Sequence, residues 1–347
     1  MRVRSRTSVA ADTGCPKQMV YGPCQGVTAE GGCEVDGRSC PFFARGAVPY
    51  SALPSAPRQL NPGAERLVGL LAERPVILTE VPSDGPDPAR ARASSERLST
   101  RVDGIVLGDA PWARVQLPPS LRAGIAAESG LLTVPGLTCR DRNRVALEAE
   151  LHALDAVHAS AVLCLTGDHT ALGSRPDAQP VFDLDSTRLA ALATRRSSLV
   201  AVAERPTREW PHRLDRLRAK VAAGADMVIL NHAPAEQAAE FIRSAKQAFP
   251  LLVVIASVPV VLSAEGRRRL AAFGGGTLES GNVGAAERAH DHAIGLLSAG
   301  ADGIDLSAAA GADETRLALD ALHDVGGALR AAVVQSAASS LPEHQGR

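Results

Sequence analysis

Residues 220–230, KVAAGADMVIL, and residues 297–306, LSAGADGIDL, carry one device twice: an amphipathic stretch ends in Gly, and an apolar run begins within three residues. Glycine closes a helix because it accepts a left-handed backbone, and a short run that is apolar throughout reads as a strand buried on both faces. Working outward, runs of this kind recur at Val76–Thr79, Gly104–Leu107, Leu131–Val134, Ala161–Leu165, Leu199–Ala203, Met227–Leu230, Leu251–Ala256 and Gly303–Leu306. Stretches of helical period lie between them at Asn143–Val157, Ser186–Thr194, Glu209–Ala223, Pro234–Ala248, Ala264–Phe273, Ala285–Ala299 and Thr315–Val334, with weaker ones before residue 143. Eight strand–helix pairs over roughly 270 residues match an α/β fold of the (β/α)8 TIM-barrel type. A doubly wound open sheet is the alternative, but the first strand is not followed by the G-x-G-x-x-G loop of that fold.

The 347 residues are 45% hydrophobic and 22% charged, with a formal net charge of −1. That length suits one large barrel or two ordinary domains. The balanced charge gives no bulk attraction to nucleic acid or to an anionic membrane. No apolar run reaches the roughly 20 residues that span a bilayer. Met1 to Thr13 are polar and basic without an apolar core, so they do not read as a secretory signal, and a cytoplasmic location is expected. The expected organisation is a cysteine-rich metal-binding module at 1–50, a Pro- and Ser-containing linker at 51–62, the barrel at 63–335 and a flexible tail at 336–347.

Four of the six cysteines, Cys15, Cys24, Cys33 and Cys40, fall in the first forty residues. In a reducing compartment such a cluster reads as a metal or iron–sulfur site before it reads as disulfides. Eight, eight and six residues separate successive cysteines. This is not the paired C-x-x-C spacing of zinc ribbons, so Zn and an Fe–S cluster both stay open. Little apolar sequence surrounds them, and a structural metal is the favoured role, with electron transfer the alternative. Cys139 and Cys164, in or at barrel strands, read as buried structural residues.

Barrel enzymes place their chemistry at the C-terminal ends of the strands. Those positions here carry Glu80, Thr138, Thr166-Gly167-Asp168-His169, Glu204-Arg205, Asn231-His232, Asp305 and Ser307. Each carboxylate alone could simply cap a helix or pair with an arginine; their convergence on one face points to function.

Several linked motifs resemble the methylenetetrahydrofolate reductase family. LTCRDRNRVALEAELHAL (137–154) followed by AVLCLTGDH (161–169) is similar to the family's stretch between strand 3 and the Gly-Asp pair closing strand 4. PVFDLDSTRLAAL (180–192), RLRAKVAAGADMVILNHA (216–233) and LTEVPSDGPD (78–87) resemble further family segments in the same order. CPKQMVYGPCQGVTAEGGCEVDGRSCPFF (15–43) resembles the cysteine-rich domain that accompanies this family in some bacteria. The resemblance is strongest over 130–235 and weak beyond 250. It implies hydride transfer from a reduced flavin, FAD ahead of FMN, to 5,10-methylenetetrahydrofolate, with NAD(P)H or a protein as electron donor. A homo-oligomer is compatible with it. Glu80 matches the family's acid, and Asp168 the carboxylate beside flavin and pterin. Lys220 matches a flavin-contacting lysine, with a solvated helix lysine as the alternative. Thr166, Gly167 and His169 flank the flavin position, His169 also reading as a solvated loop residue. Asn231 and Thr138 stand at substrate-binding positions.

The sequence also departs from the family. Asn231 is one methylene shorter than the usual Gln, Gly136 replaces a frequent His, Pro82-Ser83 replaces Pro-Pro, and His232-Ala233 replaces a segment bearing an aromatic. Trp210 is a candidate aromatic over the site. These departures leave two alternatives: a scaffold or electron-transfer subunit of a folate reductase, and a pterin-dependent methyltransferase barrel that needs no flavin.

Overall fold

The computed structural model describes residues 14–28, 30–44, 46–51, 58–81, 85–109, 115–206, 213–272, 284–309 and 314–339. Pro82, Ser83, Trp210 and Phe273 lie outside them. The barrel strands are β1 (Val76–Glu80), β2 (Gly104–Leu107), β3 (Leu132–Thr138), β4 (Ala161–Leu165), β5 (Leu199–Glu204), β6 (Met227–Leu230), β7 (Val253–Val261) and β8 (Gly303–Ala309). They pair in parallel in sequence order, and β8 returns to β1, so the sheet is a closed barrel. The fold is therefore the (β/α)8 barrel that the strand–helix alternation dictates.

Helix α1 (Pro62–Glu73) precedes β1. Around the barrel follow α2 (Pro88–Leu98), α3 (Pro119–Ala127), α4 (Arg144–Ala156), α5 (Ser186–Ala193), α6 (Arg213–Ala222), α7 (Ala235–Ala248), α8 (Ala264–Ala272), α9 (Ala285–Ser298) and α10 (Thr315–Ser339). Two of them, α8 and α9, lie between β7 and β8. Side chains on alternate strand positions fill the barrel, including Val76, Leu78, Val106, Leu132, Val134, Met227, Ile229 and Ile255. The complementary positions, such as Ile77, Ile105, Val228 and Val254, pack outward against the helices.

Several boundaries differ from the sequence expectation, each for a local reason. Asn61 caps α1, its side chain accepting from the Ala64 amide at 2.9 Å, and Pro62 opens the helix. Asn61 Nδ2 also donates to the Ala159 carbonyl and the Ser198 hydroxyl, and Arg58 pairs with Asp226. Residues 58–61, expected as linker, are thus built into the barrel. Ala64 and Leu67 of α1 join the inner core and close the N-terminal end of the barrel. Strand β7 starts two residues later than expected and runs on to Val261 because it pairs with β8 along its whole second half. Helix α10 runs to Ser339, past the expected boundary at 335.

Register is fixed by a repeated contact. Asp103, Asp226 and Asp302 stand just before β2, β6 and β8. Each accepts a hydrogen bond from the backbone of the preceding strand: Ile77 N to Asp103 at 2.9 Å, Val200 N to Asp226 at 2.7 Å, and Val254 N to Asp302 at 2.7 Å. Arg74, Arg58 and Lys246 respectively neutralise them. Glycine begins β2 and β8 because neighbouring backbone comes too near for a side chain. A Cβ would lie 2.5 Å from the Leu132 carbonyl oxygen at Gly104 and 2.6 Å from that of Val76 at Gly303. Among the described residues no helix is long and apolar enough to cross a membrane.

Burial opposes ionisation of Asp103, but the hydrogen bonds and charge of Arg74, the Ile77 amide and the Arg330 charge outweigh it and hold the carboxyl below its ordinary 3.8. Its contribution to stability is complete above that value and is lost as pH falls through the lowered one. Asp103→Asn should cost about 3 kcal/mol at neutral pH, because it strips a buried cation of its partner. In denaturant titrations the gap from wild type should close in strong acid; an equal gap at both pH values would rule out the ion pair as its source.

Candidate active site

Inner alternation continues to the C-terminal rim, where apolar residues give way to polar ones. Beyond Leu78, Val134, Ile229 and Ile255 the next inward positions on their strands include Glu80, Thr138, Asn231 and Ser257. On β8, Asp305 pairs in register with Leu78 of β1 and with Ser257 of β7, and Ser307 pairs with Glu80.

Glu80 is half-buried, and its carboxyl receives no hydrogen bond from a described residue. Burial raises its pKa, against the opposing charge of Arg122. Arg122 reaches over from α3 and donates to the Gly108 carbonyl at 2.7 Å. Asp305 is 3% exposed. Its Oδ2 accepts from Ser257 at 3.2 Å, while its Oδ1 is buried with no partner among the described residues. Burial and the neighbouring Glu80 carboxyl push Asp305 well above the carboxylate range. Beside this pair Ser307 Oγ and His232 Nε2 lie 2.6 Å apart. Burial, with His292 nearby, lowers His232 to about 4, so the imidazole is neutral at physiological pH.

Asp168 lies across the mouth, after β4. Gly167 before it has φ of +89°, and a Cβ there would come within 3.0 Å of the Arg140 Cβ, so the Gly-Asp turn requires glycine. The Asp168 carboxyl also receives no hydrogen bond from a described residue. Burial raises it, and its charged neighbours are Lys17, Glu34 and Arg140. Glu80 and Asp168 therefore occupy one rim but separate electrostatic surroundings.

The other expected site residues are engaged with the protein. Thr166 Oγ1 accepts from the Ser186 amide, tying the loop after β4 to α5. His169 caps a short 3-10 turn through the Ala171 amide and stacks on Phe182 at 5.9 Å, so it is not a freely solvated loop residue. Thr138 Oγ1 donates to Asp109 at 2.6 Å. Lys220 is 5% exposed, which overturns the solvated alternative. It donates to the Ala203 carbonyl at 2.6 Å and pairs with Glu204 at 2.9 Å. Glu204 is fully buried and also held by Arg216. This ion cluster sits between β5 and α6, on the outward face of the strand.

Asn231 Nδ2 donates to Gln25 Oε1 in the cysteine module. Further contacts bind that module to the rim over β4–β6. Arg216 and Arg205 donate to the carbonyls of Pro23 and Gln25, and the Val20 amide donates to Asp185. Lys17 pairs with Glu34 and is itself buried at 3% exposure. Among its described residues the module has no helix or strand, only the isolated bridges Val27 with Cys33 and Gly32 with Ser39. Cys15, Cys24, Cys33 and Cys40 line one cavity of about 20 Å³. Among the described residues no three His, Cys, Asp or Glu side chains are gathered closely enough to hold an ion. Burial pushes the Cys24 thiol up to about 11, against the pull of Lys17. A bound cation would reverse that shift, since thiolates are the ligating form. Cys139 and Cys164 are buried, as expected.

At the ends of β2 and β3 the sequence reading took Thr138, with Arg140 and Asp141 beside it, but missed their partners Asp109 and Arg142. Asp109 accepts from Thr138 and pairs with Arg142 at 2.8 Å, and Arg142 also reaches Asp141 at 3.0 Å. The signal was present, since Asp109 follows a strand, but the end of strand 2 was not read for chemistry. Asp109, Asp141 and Arg142, with Gln116, Arg140, Thr170 and Arg175, line a cavity of about 280 Å³.

No protein-family model matches this sequence, and no curated protein is significantly similar to it. Solved structures with similar architecture include tryptophan synthase of Mycobacterium tuberculosis, at 14% identity and a TM-score of 0.50, covering 79% of this chain and 99% of that one. They also include 2,3-dimethylmalate lyase, a PEP mutase/isocitrate lyase superfamily member, at 11% identity and 0.45, covering 83% and 92%. At these identities the likeness concerns the barrel alone.

Glu204→Gln should destabilise the chain by about 3–5 kcal/mol, because it leaves Arg216 and Lys220 buried beside a neutral amide. Lys220→Met should cost less and should restore part of the stability of Glu204→Gln in the double variant. A double-mutant cycle with no coupling would exclude the ion cluster.

Proposed function

We propose that the chain reduces 5,10-methylenetetrahydrofolate to 5-methyltetrahydrofolate by hydride transfer from a bound flavin. One observation carries the reading furthest. Of the expected site residues in the barrel, Glu80 and Asp168 are carboxyls that receive no hydrogen bond from a described residue, and burial raises the pKa of both. The neighbouring polar residues are committed to the scaffold. A carboxyl left unsatisfied at a barrel mouth is available to a ligand, and its raised pKa suits proton donation near neutral pH. The family motifs at 137–154, 161–169 and 216–233 add the identity of the ligands.

Reduced flavin, when bound, supplies the hydride. The chain's own residues supply the rest. Glu80 places a proton at the nitrogen that departs when the folate ring opens to an iminium ion. Asp168 accepts from N–H groups of the pterin or flavin edge when ionised, and donates when protonated. Arg122, facing Glu80, limits how far the acid's pKa can rise. Asn231 and Thr138 border the substrate position.

A second reading has its own support. The cysteine module covers the rim at Asn231 and places Lys17 beside Asp168. That arrangement suits a reductase whose electrons arrive through the module from a partner protein. The module's four cysteines supply the ligand type that Zn or an Fe–S cluster takes.

Anaerobic half-reactions test the assignment. In flavin-loaded protein Glu80→Gln should leave flavin reduction by NAD(P)H intact and slow flavin reoxidation by methylenetetrahydrofolate by about 10²–10⁴-fold, the range expected for loss of a general acid. Equal rates in both half-reactions would remove Glu80 from the chemistry. Failure of NAD(P)H alone, with success on adding a low-potential dithiol or ferredoxin-type donor, would select the partner-coupled form.

A further inference from the structure

Glu80 does not stand alone at the mouth. Asp305 is the next inward carboxyl on the neighbouring strand, one step deeper, because Asp305 pairs with Leu78 and Ser307 with Glu80 in the β1·β8 register. Adjacent parallel strands lie about 4.8 Å apart, so diagonal side chains of this length can meet. Their hydrogen bonding is incomplete in a complementary way. Ser257 satisfies Asp305 Oδ2, but Oδ1 is buried with no partner, and the Glu80 carboxyl has no donor among the described residues. Ionised carboxylates only accept hydrogen bonds, so two of them facing each other cannot satisfy one another. A single proton converts one into a donor and completes both.

We propose that Glu80 and Asp305 share one proton, with Asp305 acting as a positioning residue that sets the acid strength of Glu80. The proposal rests on the proposed reaction only for the identity of the proton acceptor. Arg122 is the cation facing Glu80, and its charge favours ionisation of the outer carboxyl while the proton rests on Asp305. Among the charged groups it is opposed by Asp305 itself. Neighbouring His232 is neutral, bonded to Ser307, and carries no charge into the pair. When a basic nitrogen docks against Glu80, the proton passes from Asp305 Oδ1 to Glu80, and from Glu80 to the nitrogen. One O–H bond is lost, one N–H bond forms, and two carboxylates remain. Two buried like charges are unfavourable, so the pair recovers a proton from solvent at the open rim. Burial raises both groups, and the Glu80 carboxyl adds to the rise at Asp305.

Flavin-free protein suffices for the test, so its outcome is separate from that of the reductase assignment. With carboxyl-13C Glu and Asp labels, NMR should show Glu80 and Asp305 titrating together in two shared steps, with one proton still bound at pH 7. Assignment uses Glu80→Gln and Asp305→Asn. In each variant the remaining carboxyl should titrate lower than the upper wild-type step by roughly one pH unit or more. Two independent single-step titrations in the wild type, or a pair fully ionised at pH 7, would overturn the proposal. The wild-type curves decide the matter even if a variant fails to fold. In loaded protein the basic limb of the kcat/KM profile should move to lower pH in Asp305→Asn, a shift that a purely structural role for Asp305 would not produce.

Discussion

The contact on which the rest depends is the hydrogen bond from a strand amide to the carboxylate that begins the next strand, made by Asp103, Asp226 and Asp302. A parallel strand slipped by one residue would turn every side chain to the other face. These aspartates hold β1 against β2, β5 against β6 and β7 against β8 at the end of the barrel away from the polar rim. Of their counter-ions, Arg74 also donates to the Pro75 carbonyl and Lys246 to that of Leu252.

That register determines which residues face the mouth. It points Glu80, Asp305 and Ser257 inward and sends Glu204 outward to Arg216 and Lys220. The same alternation therefore separates a structural ion cluster, in which charges are paired, from a mouth whose carboxyls have no cation bonded to them among the described residues. The two settings shift their groups in opposite directions. Glu204 is held below its ordinary value by Arg216 and Lys220 in spite of burial, whereas Glu80, Asp168 and Asp305 are raised by burial. The cysteine module adds a third element. Its Gln25, Lys17 and Val20 meet the rim at Asn231, Asp168 and Asp185, so the module's four thiols and the barrel mouth share a boundary.

Much of the fold was legible because barrel strands are short, apolar throughout and preceded by Gly-containing turns, as at Gly224 and Gly300. Helix α1 was missed although Asn61-Pro62 is a capping signature, because Pro and Ser in SALPSAPRQLNP read as linker. The end of β7 was missed because Pro259 interrupts an otherwise apolar run. At the rim, residue type and strand-end position were enough to nominate Glu80, Asp168, Asp305 and Asn231. They could not separate Lys220, which packs outward against Glu204, from a residue facing a ligand; that distinction needs the helix's rotation. Nor could spacing reveal that Gln25 would meet Asn231, since nothing local in the sequence couples positions 206 residues apart.

The central claim is that this mouth is a flavin site bordered by a metal-loaded module. An absorption spectrum of the purified full-length protein, taken with metal analysis of the same sample, tests it most directly. The account predicts a flavin spectrum, as isolated or after incubation with FAD or FMN, together with zinc or iron in proportion to the four thiols. Protein that stays colourless with both flavins and contains neither metal would contradict it.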